Sequence, residues 1–556
     1  MSLGAAVTDR NSLSKAVQGQ TSGGRRLAVV LCGLLLAAIG SANYLARLDE
    51  PRGPYWDENY YLTAVARYAE GRAQFASHPP LGLMLLAAGD RLTGANGDVD
   101  QSDLARVKMV GETKLPVGYQ IWSVRLASAL FGVAIVLTVY VILLVACFEP
   151  VAAAAVAALM AFETALIVQF RAAQLDAFQV EFALIAIAFV VAAARRSLGD
   201  RRGRLFAGTG LAAGAAMMVK LDGALVAAAP AALLLVSLAP DWRRARAWAT
   251  AALEAGAFAL ALIGTIASVY CIQTIWCREP LDFGAPAAAV DARFMSTTYQ
   301  HYLDGRRPWS PEVVAAATRD SFRFMLNDQA GIGRSDPNGS SPWLQPLGVK
   351  PINYRWDSQD GVTRYVQLIA NPVDWMLGAI GLLAGLAVVM AGRLADKFRS
   401  SAMTVRQLVP VLATALAFYV GHGLLGAHRV MYLYHAFLTQ LLGLLCLPFI
   451  MRELASRSPM WRRHLEVATW CAMAASIGAF LWFAPLVYHR PLTQQSCAAR
   501  NIPIKVVECR GPPLNDSATR PRKSGAPKPR RGASPLRGGN ASRYRSRTRK
   551  GSQLKP

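Results

Sequence analysis

Leu27–Ala46 reads LAVVLCGLLLAAIGSANYLA, and Pro54–Tyr61, PYWDENYY, follows a few residues later. An apolar run of about 20 residues is the length a helix needs to cross a bilayer. It is long and lacks a clear cleavage site, so it is read as a retained first span rather than a signal peptide. Asp57 and Glu58 are adjacent carboxylates among aromatics at the border of that run. Charge placed there is costly unless it is used or paired. A second piece, Ser77–Leu86, SHPPLGLMLL, belongs to the same loop.

Comparable apolar runs recur at about 122–147, 150–170, 176–195, 205–221, 223–239, 249–276, 373–391, 408–425, 432–451 and 466–488, which makes eleven spans. The chain of 556 residues is 53% hydrophobic and 17% charged, where a soluble protein carries about a quarter charged residues. Its mean hydropathy is +0.28. The predicted fold is an all-α polytopic membrane protein, and nothing in the pattern suggests a β-barrel. No nucleotide-binding glycine loop, internal repeat or nucleic-acid partner is evident.

The charges orient the spans. With residues 1–26 inside as a disordered cytoplasmic arm, the inside loops carry Arg195, Arg196, Arg201, Arg202 and Arg204, then Arg243, Arg244 and Arg246. They also carry Arg393, Lys397, Arg399 and Arg406, then Arg452, Arg457, Arg462 and Arg463. This is the positive-inside pattern. The other face then holds Asp57, Glu58, His78, Arg125, Arg171, Asp176, Lys220, Asp222, His422, His428, Arg429 and His435. Ionisable groups at so many helix ends on one side point to a shared polar cavity.

The domain reading follows. Residues 27–276 form an N-terminal membrane module with an outer loop at 47–120, in which Asn59–Tyr68 and Pro80–Leu92 are amphipathic helices. Residues 277–372 form an outer-face loop or subdomain, too aromatic for a linker, with Trp309, Trp343 and Trp356. Residues 373–488 form a C-terminal membrane module, and 489–556 a disordered basic tail. From Arg510 that tail holds fourteen Lys and Arg against one acid, Asp516, about half of the formal net charge of +24. It is read first as a solvated tail and second as a ligand for anionic lipid headgroups. Five cysteines lie in apolar runs. Cys497 and Cys509 follow the last span, and their pairing is left open. No zinc-type spacing is present.

Each charged motif has a structural and a chemical reading. Asp57-Glu58 can cap a helix N-terminus, or one acid can be a general base. His78-Pro79-Pro80 is an ordinary helix start. Arg171 and Asp176 form a surface ion pair or, with Arg171, a phosphate site. Lys220, in the apolar stretch MMVKLDG, leans toward function together with Asp222. Arg429 and His435 belong to an interfacial aromatic belt or to a lipid-phosphate site.

In order, these motifs resemble the protein O-mannosyltransferases (glycosyltransferase family 39), polytopic glycosyltransferases of the GT-C class. Asp57-Glu58 and His78-Pro-Pro-Leu-Gly look like the first outer loop of that family. Ser123-Val-Arg125-Leu-Ala-Ser-Ala opens the second span as in the family. Arg171 to Asp176, Gly214 to Gly223, Asn371-Pro-Val-Asp-Trp375 and Arg429 to His435 continue the series. Ala436 stands where the family often has an aromatic. The 277–372 loop has no room for the inserted β-trefoil of eukaryotic members, so the chain looks like a bacterial member. The related lipid A aminoarabinose transferases usually carry Lys in place of His78.

The resemblance implies a mannosyltransferase using polyprenyl-phosphate mannose and acting with inversion on Ser or Thr of secreted proteins, at the non-cytoplasmic face of the cell membrane. It implies Asp57 and Glu58 as catalytic residues, and Arg171, Lys220, Arg429 and His435 as donor-phosphate ligands, with Arg171 foremost. His78, Arg125, Asp176 and Asp222 would shape the acceptor side. No cofactor is firmly implied beyond the lipid-linked donor, and a divalent metal is left open. The alternatives are a GT-C transferase acting on a lipid or glycan, and a transporter or flippase.

Overall fold

The computed structural model describes residues 5–280, 282, 286–359, 361–394, 400–501 and 509. Helix α1 is Ala5–Tyr44, α2 Glu58–Ala69, α3 Pro80–Thr93, α4 Ser102–Arg106, α5 Ile121–Val145, α6 Pro150–Phe162, α7 Thr164–Phe170, α8 Asp176–Ala194, α9 Gly203–Val219, α10 Ala228–Leu238 and α11 Ala245–Trp276. The outer segment adds α12 Pro286–Asp291, α13 Thr297–Leu303, α14 Pro311–Ala330 and the strands β1 Ile352–Gln359 and β2 Val362–Leu368. The chain continues with α15 Pro372–Leu394, α16 Ala402–Leu425, α17 Phe437–Arg457, α18 Pro459–Val487, β3 Pro491–Thr493 and α19 Gln494–Ala499.

The protein is a near-all-α polytopic membrane fold. Among the described residues nine helices are long and apolar enough to span a membrane. The pair α6–α7, bent by 62°, makes a tenth, and the 17-residue α9 is shorter. All eleven apolar runs of the sequence are therefore helical. They pack closely where side chains are missing: a Cβ on Gly381 would lie 2.0 Å from the Gly443 carbonyl oxygen, so α15 and α17 touch backbone to backbone.

The bend at Glu163 frees backbone groups that lipid cannot satisfy. Glu163 caps α7 by accepting the Leu166 N–H at 2.5 Å. The carbonyls released at the end of α6 are taken in turn. Tyr44 donates to Met160 O and Asn43 to Ala161 O, each at 2.7 Å, and Asn371 donates to Phe162 O at 3.2 Å. The break is thus built into the bundle, and it carries α7 and the Arg171–Leu175 turn to the site.

The two ends of the bundle differ in chemistry. At the C-terminal end of α5, Arg195 and Arg452 hold the carbonyls of Val145 and Ala146 at 3.0 and 2.7 Å. Arg202 pairs with buried Glu254 at 3.3 Å. At its N-terminal end Arg125 meets Glu58, and the acids and bases of the motifs collect there.

Two boundaries differ from the sequence reading. The 1–26 arm is helical from Ala5: no proline interrupts it, and a helix already nucleated by the span propagates at little cost. The segment after 489 starts ordered, because β3 pairs antiparallel with β2 and Cys497 forms a disulfide with Cys509. The rest of the basic tail, 510–556, lies outside the described residues. In the 277–372 segment, β1 and β2 form an antiparallel hairpin with an irregularity between Asn353 and Arg355. The extra residue there, Tyr354, is re-aimed toward the bundle, as a β-bulge does.

Candidate functional site

Adjacent residues of the first motif point different ways because the chain turns sharply before them. Trp56 has φ of +54°, a left-handed conformation costly for a bulky residue. An aromatic clamp holds it. Its ring stacks on Tyr354 at 4.7 Å and meets Tyr432 edge-on at 5.3 Å. Glu58 goes into the core with no exposed surface. It accepts from Arg125 Nε and Nη2 at 2.7 and 2.8 Å, from Tyr55 N at 3.1 Å and from Ala173 N at 2.8 Å. Arg125 spends its remaining donors on the Leu48, Pro51 and Gly53 carbonyls.

Asp57 occupies the N-cap position of α2 without using its side chain as a cap. Its half-buried carboxylate has no hydrogen-bond partner among the described residues. Burial pushes its pKa up to about 6; Lys220 and Arg429 oppose the shift and Asp176 adds to it. The charged groups acting on Asp57 thus come from three distant parts of the chain. His78 faces two of them. Burial, with Lys220 and Arg429 nearby, pulls its pKa down to about 3 against a smaller pull from Asp222, so it is neutral at ordinary pH.

Lys220 and Asp176, which act on Asp57, belong to a narrow polar hollow also lined by Gln179, Asp222, His422, Tyr434 and His435. Two hydrogen-bonded chains build it. Tyr354 Oη donates to Gln169 Oε1 at 2.7 Å, Gln169 Nε2 to Asp176 Oδ2 at 2.8 Å, and Lys220 Nζ to Asp176 Oδ1 at 2.7 Å. Gln179 Nε2 and His422 Nε2 approach the two oxygens of Asp222 at 2.6 and 2.9 Å. His435 accepts the Tyr432 N–H on Nδ1 at 3.1 Å and stacks on Tyr434. Its Nε2 is uncommitted among the described residues. Arg429 binds the neutral Gln329, which in turn holds the Ser77 carbonyl beside His78. No carboxylate pairs with Arg429 among the described residues.

Asp176, Lys220, Asp222 and His435 line this hollow, Asp57 and His78 lie within electrostatic reach of its groups, and Arg429, which acts on both, lines a separate hollow with Trp343 and Met431. Glu58, Arg125 and Arg171 do not line it. Arg171 is buried, and four of its five guanidinium N–H donors go to the Ala46, Arg47 and Val487 carbonyls, with the Tyr488 ring 4.7 Å away. It ties the ends of α1 and α18 to the turn after α7, which leaves one Nη1 hydrogen and no two-pronged fork for a phosphate. Sequence reading did not single out Gln169, Gln179, Gln329 or Tyr354. Neutral amides inside apolar helices are a usable signal for the first two; Tyr354 carries none, because only the bulge in β1 aims it. Among the described residues no group of three or more His, Cys, Asp or Glu is arranged to hold a metal.

The sequence profile described as dolichyl-phosphate-mannose-protein mannosyltransferase matches residues 34–274, and that of the C-terminal four-transmembrane region of protein O-mannosyltransferase matches residues 321–503. The chain belongs to the protein O-mannosyltransferase family. Protein O-mannosyl-transferase 1 of Mus musculus is 36% identical over 154 residues, and that of Homo sapiens 35% over the same length. The match takes in 27% of this chain and spans about a fifth of the length of those relatives. The structure of the S. cerevisiae protein O-mannosyltransferase Pmt1-Pmt2 complex bound to the sugar donor superposes with a TM-score of 0.67 at 15% identity. It covers 85% of this chain and 92% of that one, a likeness of fold.

Proposed function

We propose that this member of the protein O-mannosyltransferase family is a membrane glycosyltransferase. It moves mannose from a polyprenyl-phosphate donor to Ser or Thr hydroxyls of proteins at the non-cytoplasmic face. The observation that carries this is a carboxylate with no hydrogen-bond partner among the described residues, Asp57, within electrostatic reach of Lys220 and of Arg429, which has no carboxylate partner among the described residues. A base and a cation for a leaving phosphate are what such a transfer needs.

The geometry supports the following roles. Asp57 takes the proton of the acceptor hydroxyl as its oxygen attacks the anomeric carbon from the face opposite the phosphate. The bond from that carbon to the phosphate oxygen breaks, and polyprenyl phosphate leaves with the electron pair. Arg429, Lys220 and His435 Nε2 receive the phosphate charge. His78, held neutral, offers hydrogen bonds rather than charge. Glu58 and Arg125 hold the loop, and Arg171 is reassigned from phosphate ligand to the same structural task.

Two observations support the outward placement: the basic loops gather at the opposite end of the bundle, and the Cys497–Cys509 disulfide belongs to the strand layer beside the site, as expected on an oxidising face. Membranes containing the protein, incubated with labelled polyprenyl-phosphate mannose and a Ser/Thr-rich peptide, should place label on the peptide. Label found only in lipid or glycan would assign a different acceptor. Undiminished transfer by Asp57→Asn would overturn the role of Asp57.

A further inference from the structure

Arg429 is held by a side chain of the outer segment. Gln329 lies in the last turn of α14, where its own carbonyl accepts the N–H groups of Gly331 and Ile332. The chain beyond α14 pairs with the residues after Arg429: Val430 N donates to Gly333 O and Ser340 N to Met431 O, each at 2.9 Å. Gln329 Nε2 donates to the Ser77 carbonyl at 3.1 Å, and its Oε1 accepts from Arg429 Nη1. These two partners fix which way the amide faces, because a flipped amide would set N–H against N–H and oxygen against oxygen.

This contact differs from an ion pair. A neutral oxygen directs the guanidinium and leaves its charge available to a phosphate, whereas a carboxylate at the same place would compete with that phosphate. Arg429 gives one further N–H, Nε, to the Val430 carbonyl at 3.4 Å, so three of its five N–H groups are uncommitted among the described residues. A competing acid stands nearby. Asp336 lines the same hollow as Arg429. Its Oδ1 accepts the Asn338 N–H at 2.7 Å, and it pairs with no Lys or Arg among the described residues. An arginine side chain is long and rich in rotamers. Without the Gln329 contact its guanidinium is free to turn toward that carboxylate.

We propose that Gln329 is a positioning residue for donor binding: it aims Arg429 at the leaving phosphate and keeps it from pairing with Asp336. This role rests on the reading of Arg429 as a phosphate ligand, and it adds a residue that touches no reacting atom. It also gives the outer segment a task. The same amide joins Arg429 to the Ser77 carbonyl, so α14 sets the spacing between the His78 loop and the cation.

The test reads binding of a short-chain polyprenyl phosphate to purified full-length protein in detergent, with the unfolding midpoint taken alongside. Gln329→Leu should raise the Kd about fivefold, the scale of one net hydrogen bond, with the midpoint nearly unchanged. Gln329→Glu keeps the side-chain shape, pairs with Arg429 and should weaken binding at least as much; it decides the matter if the leucine variant does not fold. Asp336→Asn alone should bind like the parent. In the Gln329→Leu background it should restore most of the lost affinity, which a merely structural role for Gln329 would not produce. In an Arg429→Gln background Gln329→Leu should add little, because residues that act through one another are not additive. Parental affinity in the Gln329 variants overturns the proposal, as do a loss that adds fully to that of Arg429→Gln and an absence of rescue by Asp336→Asn. If Arg429→Gln itself binds like the parent, the phosphate reading of Arg429 is what fails; if it binds weakly while the Gln329 variants bind normally, only the positioning role fails.

Discussion

Glu58 and Arg125 join through two hydrogen bonds of 2.7 and 2.8 Å with both side chains buried, while the carboxylate of Asp57, one residue earlier, has no hydrogen-bond partner among the described residues. Adjacent acids have therefore been given opposite tasks. One fixes the loop against α5 and the turn before α8; the other is left as a base. The separation follows from the left-handed turn at Trp56.

Removing one member of the buried pair should be felt as lost stability. Arg125→Met leaves Glu58 charged with only backbone donors, and one-sided removal of a buried ion pair costs about 3–5 kcal/mol. Thermal unfolding in detergent should show a large fall in midpoint. A variant that kept the parental midpoint would show that the pair does not hold the loop.

Asp57→Asn should do the reverse. Loss of a general base costs about 10²–10⁴-fold in rate, and no hydrogen bond of the folded state is broken. Turnover should collapse while the unfolding midpoint holds or rises. The pH dependence has a definite sign. Asp57 titrates at about 6 in the folded protein, above its ordinary 3.8. The carboxylate is the active form, so kcat/KM should rise with pH through about 6. Folding favours the protonated form, so this group's contribution to stability is full below 3.8 and fades as pH rises through 6. Asp57→Asn should remove that dependence.

Much of this was legible in the sequence, for physical reasons. Eleven apolar runs were found because lipid imposes length and composition on a span. The convergence of Asp57, Lys220, Asp222, Arg429 and His435 was legible because charge at a helix end in a membrane is rare. What the sequence did not show was which arginine is already engaged by the backbone. Arg171 and Arg429 look alike as letters. Only coordinates reveal that Arg171 is ringed by the Ala46, Arg47 and Val487 carbonyls, whereas Arg429 meets a neutral amide. Likewise the bulge that aims Tyr354 leaves no trace in composition.

That contrast can be measured. Arg429→Gln should raise the KM or Kd for the lipid-phosphate donor by about tenfold or more, since a charge-assisted contact to phosphate is worth about 1.5–3 kcal/mol, with little change in the unfolding midpoint. Arg171→Gln should lower the midpoint, leaving donor affinity of the folded fraction nearly unchanged. The opposite pattern would return Arg171 to the phosphate site.

Tyr354 tests whether the hairpin is part of the site. Its hydroxyl fixes Gln169, which presents Nε2 to Asp176, the partner of Lys220. Tyr354→Phe keeps the stack on Trp56 and removes one hydrogen bond, a change of about 1 kcal/mol. Turnover should fall about fivefold with the donor Kd rising in step, because Gln169 can then flip and Lys220 loses its fixed position. A fully active variant would detach the hairpin from the site.

The disulfide offers a test of the proposed membrane side of the arrangement. Cys497 and Cys509 are bonded beside β3, which pairs with β2 of the hairpin that carries Tyr354. A bridge in that place is stable only where the compartment is oxidising. In intact cells, a membrane-impermeant maleimide should label Cys497 and Cys509 only after treatment with an impermeant reductant. Arg195→Cys and Arg243→Cys, at the other end of the bundle, should stay unlabelled until the membrane is permeabilised. If the engineered cysteines label first and the pair needs permeabilisation, the site opens to the cytoplasm and the proposed acceptor class is wrong.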